Sequence, residues 1–416
     1  MRLDRLPKPA LSFLCQGLVS GTGFMASLAV MQQGQRNDYA AFVLIINAYM
    51  LLTSLLNALL LQPMATLSSR MAEQVVRRML GLGVGGGLAL GLLGSVLLLG
   101  YQAGFHSDAA SSLPGPTIAL CFCLLLYRDV QRAGWLLDGD LANLLRLDGA
   151  YFVLASVGLA LAVIIGRFGL EGVLLAISLP ALIGLRHRVH TAAPSGAPPF
   201  AVANRGFWLE VWHCARWALP GVLVTWLFSN GYWFYLASTQ GHKAVAMLAA
   251  SRLAFTPVGL MIQGWSSYYR PLFARLENAG ALGEKADIIR RQNAMAMVLV
   301  LVYASLLCLA GGVAPRYLPT YLRGTVWLQY VWAWAGYFAV QWLRTVRMTA
   351  RLANAAGFRL VFRSGVVGCL VFYLLLLPSP WLLDSPLICP LGLIVAEAAI
   401  YFCLREKTHA FVAETL

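Results

Sequence analysis

Residues 244–280 read AVAMLAASRLAFTPVGLMIQGWSSYYRPLFARLENAG. The stretch 244–268 is mostly apolar or small, and a helix needs about 20 such residues to cross a hydrocarbon layer. It closes at Arg270-Pro271, where charged residues take over. Arg252 interrupts the run eight residues from its start, a depth of roughly 12 Å at helical rise. A charge at that depth is costly and faces an aqueous cavity or a partner.

Outward from this stretch the same alternation of apolar run and polar punctuation covers the chain. It gives twelve spans, at about 9–31, 40–62, 79–101, 114–135, 149–166, 171–186, 218–238, 244–268, 293–313, 325–343, 360–378 and 387–404. The first span is expected to be retained, since no short apolar stretch with a small-residue cleavage site precedes it. Composition agrees. Of 416 residues 59% are hydrophobic and 12% charged, where a soluble domain has about a quarter charged. Mean hydropathy is +0.71. A soluble enzyme, a disordered chain and a nucleic-acid binder are excluded.

The net charge of +14 comes from 31 Lys and Arg against 17 Asp and Glu. With the N-terminus inside, 25 of these cations fall on inner segments and adjoining helix ends, 5 on outer loops, and Arg252 within a span. That bias is what the positive-inside rule asks, and it places both termini in the cytoplasm. Cysteine usage adds little. Cys121 and Cys123 point apart on a helix, no metal or cofactor is expected, and the other span cysteines read as small apolar fillers.

The longest polar stretch between spans, about 187–217, divides the chain into two six-span halves. The expected organisation is an N-lobe at 1–190, a cytoplasmic linker with an interfacial helix at 191–217, and a C-lobe at 218–416. Phe207 to Trp217 (FWLEVWHCARW) supplies the interfacial helix. In each half the second span stops at a proline, Pro63 or Pro271, before a mixed-charge segment and an arginine pair, Arg77-Arg78 or Arg290-Arg291. The fold class expected is an all-α polytopic membrane protein of about 12 transmembrane helices, in two six-helix lobes related by a pseudo-two-fold axis along the membrane normal. Such an arrangement points to a transporter with a central cavity.

The interior candidates follow from helical spacing. The eighth span carries Arg252, Thr256, Gly259, Gln263, Ser266 and Arg270 on one face, against a helix-packing reading of such small and polar stripes. Arg128 and Arg132 share a face of the fourth span near the cytoplasmic end, as snorkelling anchors or an anion site at a cavity mouth. Arg344, Arg347 and Arg351 repeat that spacing below the tenth span, where anchoring is favoured. Glu397, with Asp129, is the clear acidic residue inside a span, and Arg363 on the neighbouring eleventh span is its expected structural partner, the other role being proton coupling. Tyr232, Trp233, Tyr235, Trp265, Tyr268, Tyr269, Trp332, Trp334 and Tyr337 form an aromatic set, divided between the interfacial belt and sugar stacking in a cavity.

The segments RNDYAAFVLIINAYMLLTSLLNALLLQP at 36–63, RWALPGVLVTWLFSNGYWFYLAS at 216–238 and the opening stretch resemble polysaccharide flippases of the Wzx type, in the multidrug/oligosaccharidyl-lipid/polysaccharide (MOP) exporter superfamily. The resemblance departs from that pattern at Ala40, where glycine is usual, and in a first span with Gln16 and no charge, where related lipid II flippases carry arginines. It implies a two-lobed, alternating-access flippase in the bacterial inner membrane. The cargo would be an undecaprenyl-pyrophosphate-linked oligosaccharide for surface polysaccharide export, with membrane lipids around it and polymerase or export machinery as partners. Arg252, Arg128, Arg132, Arg270, Gln263, Tyr232 and Trp265 are the expected substrate-binding residues, and Glu397 the coupling residue. Arginines over carboxylates suit a pyrophosphate. The alternatives are a MATE-like small-molecule exporter, whose cationic substrates favour intramembrane carboxylates, and an integral-membrane enzyme of polysaccharide assembly. Short outer loops and the lack of a mid-membrane histidine weigh against the enzyme.

Overall fold

The computed structural model describes residues 8–34, 36–61, 63–64, 73–105, 114–137, 140–165, 169–186, 205–313, 322–352, 355–378 and 385–404. They are almost all helical and form two compact units, residues 1–226 and 227–416.

The first unit holds α1 (Lys8–Gln33), α2 (Arg36–Leu56, widening into a π-turn at Asn57–Leu61), α3 (Glu73–Phe105), α4 (Gly115–Leu137), α5 (Leu141–Ile164), α6 (Leu170–Ser178, tightened at Leu179–Leu182) and α7 (Arg205–Trp226). Asp140 caps α5 by accepting from the Asn143 backbone N–H at 3.1 Å. The tightened turn at the end of α6 holds Pro180, which has no N–H to continue an α-helical ladder. α3 packs on α4, and α1 on α5. The glycine-rich face of α3 allows that approach: a Cβ on Gly91 would lie 3.0 Å from the Cys123 backbone nitrogen.

The second unit opens with a π-turn at Leu227–Gly231. It continues through α8 (Tyr232–Leu253), α9 (Thr256–Asn278), α10 (Leu282–Val313), α11 (Thr325–Arg351), α12 (Ala355–Leu376) and α13 (Ile388–Cys403). α11 packs against α8, α9, α10, α12 and α13 and is its central helix. That position explains why Trp334, Tyr337, Phe338 and Trp342 are all buried on it.

Every one of the twelve expected spans falls on helix, in an all-α polytopic membrane protein. Among the described residues six helices meet strict length and apolarity, and a seventh does if a bent pair counts as one span. Their outer faces are apolar: Leu92, Leu93, Val96 and Leu97 on α3 are each more than half exposed, as are Val298, Val302, Leu306 and Leu309 on α10. A water-soluble protein does not tolerate such continuous stripes, whereas lipid does.

Three boundaries differ from the sequence reading. The fifth span starts at Leu141, eight residues before the expected position, so Asp148 lies inside it. Phe207 to Trp217 is continuous with the seventh span in α7, with Trp212 exposed. The stretch 244–268 is broken at Ala254–Phe255, where the helices on either side bend by 57°. Pro257 explains the break, because its ring clashes with the carbonyl four residues back and it donates no hydrogen bond. Arg252 and Thr256 therefore sit on different helices and do not continue one stripe. The linker residues 191–204 and the arginines at 2, 5 and 70 lie outside the described residues.

Candidate functional site

Each unit contains its own buried polar cluster. In the first, α4 presents Arg128, Asp129 and Arg132, where the apolar stretches Ile118–Leu126 and Trp135–Leu137 hold the charges inside the packing. Arg128 is 6% exposed and pairs with Asp129 at 3.3 Å, while its guanidinium carbon lies 4.2 Å over the Tyr151 ring of α5. The Asp129 carboxylate also accepts from Tyr49 Oη at 2.5 Å and Thr53 Oγ1 at 3.0 Å, both on α2. Arg132 pairs with Asp148 of α5 at 2.9 Å, and Asp148 is fully buried. Tyr151 Oη donates to the Ile177 carbonyl of α6 at 2.8 Å, next to the tightened turn. Two arginines and two aspartates thus tie four helices together with no net charge.

Sequence reasoning left Arg128 and Arg132 as snorkelling anchors or an anion site at a cavity mouth. The structure gives both a carboxylate partner. Asp148 was missed because its polar flank reads as loop, and Tyr49 and Thr53 because hydroxyls inside apolar runs read as packing residues.

The second unit is arranged differently. Arg252, in the last turn of α8, donates from Nη1 to Tyr232 Oη at 2.6 Å and to the Ser229 carbonyl at 3.4 Å. Its guanidinium carbon lies 5.5 Å from the Trp334 ring and 5.9 Å from the Trp233 ring. Trp334 Nε1 donates to Ser251 Oγ at 2.9 Å, which fixes the ring beside the arginine. Among the described residues no carboxylate pairs with Arg252. Its partners are a phenol, a carbonyl and two indole faces, all neutral.

Farther along α11, Gln341 Nε2 donates to Tyr337 Oη at 3.0 Å, and Arg344 meets Glu397 of α13 at 2.5 Å. The Glu397 side chain is fully buried. This corrects the expected Glu397–Arg363 pair: Arg363 is exposed on α12. α12 and α11 both pack on α13, and depth along the chain cannot tell which of them turns its arginine inward.

The remaining expected residues scatter. Trp265 donates from Nε1 to Gln292 Oε1 of α10 at 2.8 Å and stacks on Tyr269 at 4.6 Å, in a cluster apart from Arg252. Gln263 is exposed on α9, and the Arg270 side chain lies outside the described residues. Of the expected substrate-binding residues, Tyr232 touches Arg252. Among the described residues no three His, Cys, Asp or Glu side chains come together to hold a metal.

Comparison with known proteins gives the fold. The fold is that of transporters of the MOP superfamily. An inward-facing multidrug resistance MATE family transporter superposes with a TM-score of 0.66 at 12% identity, covering 92% of this chain and 93% of that one. An outward-facing MATE family transporter gives 0.64 at 10% identity, over 95% and 92%. A MOP superfamily transporter from Pyrococcus furiosus, described as having a binding pocket of reversed polarity that suggests a different function, gives 0.63 at 13%, over 95% and 93%. These solved neighbours are transporters and not enzymes. No protein-family model matches the sequence, and no curated protein matches it.

Proposed function

We propose that the protein is an alternating-access transporter for an anionic lipid-linked oligosaccharide, carrying an undecaprenyl-pyrophosphate-linked glycan from the inner to the outer leaflet of a bacterial inner membrane. One observation carries this reading. Arg252 is a cation held among neutral groups, while Asp129, Asp148 and Glu397, the carboxylates deep in the described helices, each face an arginine. Among the described residues the interior therefore offers an available positive charge and no available negative one. A diphosphate supplies strong, doubly charged acceptors for a guanidinium, and Trp233 and Trp334 beside it suit a sugar face.

The MATE fold of the solved neighbours favours a second reading, export of small molecules. The two separate on charge sign, since a cationic drug needs an unpaired carboxylate. The Pyrococcus furiosus transporter, with its described reversal of pocket polarity, supports charge sign as a property that varies on this fold.

The test is Arg252→Ala in the native host. Surface polysaccharide should stop, lipid-linked oligosaccharide should accumulate in the cytoplasmic leaflet, and the protein should remain in the membrane. Normal polysaccharide with altered drug susceptibility would transfer the assignment to the exporter reading.

A further inference from the structure

We propose that Arg252 is also a latch on the π-turn at Leu227–Gly231, so that an anion arriving at its guanidinium loosens the point where the chain passes from one unit into the next. The proposal rests on the reading of Arg252 as the anion-binding group, and adds how occupancy of that group is transmitted.

The chain boundary between the units falls at Trp226 and Leu227, and the two residues are anchored separately. Trp226 Nε1 donates to the Asn47 carbonyl of α2 at 3.1 Å, within the first unit. The Leu227 carbonyl accepts from Tyr373 Oη of α12 at 3.0 Å, within the second. The backbone at this junction is not α-helical. It widens into a π-turn, a one-residue insertion that is strained relative to an α-helix and common at functional sites.

Two clamps hold that turn. On one side Tyr373 takes the Leu227 carbonyl and closes on Gly231, where an added Cβ would collide with its hydroxyl. Phe372 beside it meets the rings of Phe228 and Tyr232 edge-on at 5.9 and 5.8 Å. On the other side Arg252 holds the Ser229 carbonyl inside the turn and Tyr232 immediately after it, both from Nη1. The first clamp is uncharged, a tyrosine hydrogen bond backed by ring contacts, and offers an anion nothing to bind. The second depends on a guanidinium whose acceptors are neutral, and a phosphate outcompetes them because it brings an opposite charge and can accept two parallel N–H bonds at once. An anion at Arg252 thus removes the charged clamp and leaves the uncharged one, freeing the turn to slip by the one residue a π-bulge holds in excess.

Hydrogen exchange of the full-length protein in nanodiscs reads this directly, with inorganic pyrophosphate as the probe and the quenching of Trp233 and Trp334 as an independent measure of binding. In the wild type, pyrophosphate should speed exchange of the amides at 227–233 about tenfold, the expected loss of one hydrogen bond to a charged group. Arg252→Ala should exchange as fast without pyrophosphate and not respond to it. Tyr232→Phe, which keeps the ring and loses the 2.6 Å acceptor, should lie between them, with exchange across α11 unchanged as the sign of an intact fold. If both variants protect the turn as well as the wild type does, the latch is overturned; quenching by pyrophosphate in that case leaves the anion site standing. If pyrophosphate quenches nothing, the anion reading fails, and Arg252→Ala alone still decides whether the arginine holds the turn.

Discussion

Glu397 and Arg344 meet at 2.5 Å with the carboxylate fully buried, so either charge left alone would be trapped in a poorly solvating interior. Glu397→Gln should lower stability by about 3–5 kcal/mol, the cost of breaking a buried pair from one side. The double variant Arg344→Leu/Glu397→Leu should recover most of that loss, because it removes both charges. Thermal unfolding of the purified protein in detergent measures both, and a double variant no more stable than Glu397→Gln would show that the pair is not what the substitution breaks. Transport by the double variant then separates the roles: a purely structural pair tolerates the exchange, while a coupling carboxylate does not. At this scale the sequence is legible in kind and illegible in partner. Arg252 and Glu397 stand out because charge is rare inside apolar runs. Arg344 does not, because one position along a helix turns a side chain by about 100°, and which face a helix buries is decided by neighbours far away in sequence.

At the scale of elements, the breaks in the helices position the site. Arg252 reaches Tyr232 because α8 departs from helical geometry at Gly241, between them, with φ 79° and ψ 177°. The Gly241 conformation belongs to a region that only glycine occupies easily. No atom lies within 4 Å of a Cβ built there, so the cost of a side chain is conformational alone. Gly241→Ala and Gly241→Asn should both cost about 1–3 kcal/mol, since asparagine's tolerance of the left-handed helical region does not extend to this one. Comparative thermal unfolding checks this, and an asparagine variant as stable as the wild type would mean the break relaxes. The second break is held by Phe255, stacked on Phe338 at 5.4 Å, and by Tyr303 Oη, which donates to the Ala254 carbonyl at 2.7 Å. Pro257 announces this break in the sequence. The break at Gly241 is announced too, by the polar gap 239–243 between the seventh and eighth expected spans, although only backbone geometry shows which residue carries the turn.

For the whole molecule, the decisive point is whether α4 crosses the membrane, since it carries Arg128, Asp129 and Arg132. It is not among the six helices that qualify on length and apolarity, and it was legible as a span only from the apolar stretches on either side of its charges. The geometry resolves the conflict: each arginine faces a carboxylate, so α4 enters the bilayer as part of a neutral cluster with α2 and α5. A crossing α4 puts the segments 106–113 and 138–139 on opposite sides, and it is one of twelve crossings that leave 25 of 31 cations on the side of both termini. Ser107→Cys and Gly139→Cys, each in a variant whose eight native cysteines are replaced, make this measurable with an impermeant maleimide. Position 107 should label in cells with a permeable outer envelope and an intact inner membrane, and position 139 only after that membrane is opened. Equal labelling would place α4 at the surface, and the alternation of all later loops would fail with it. The neutral cluster makes a further demand: Asp148→Asn leaves Arg132 uncompensated, so it should weaken insertion of α4 and begin to equalise the two labels, while Arg132→Leu/Asp148→Leu restores the asymmetry.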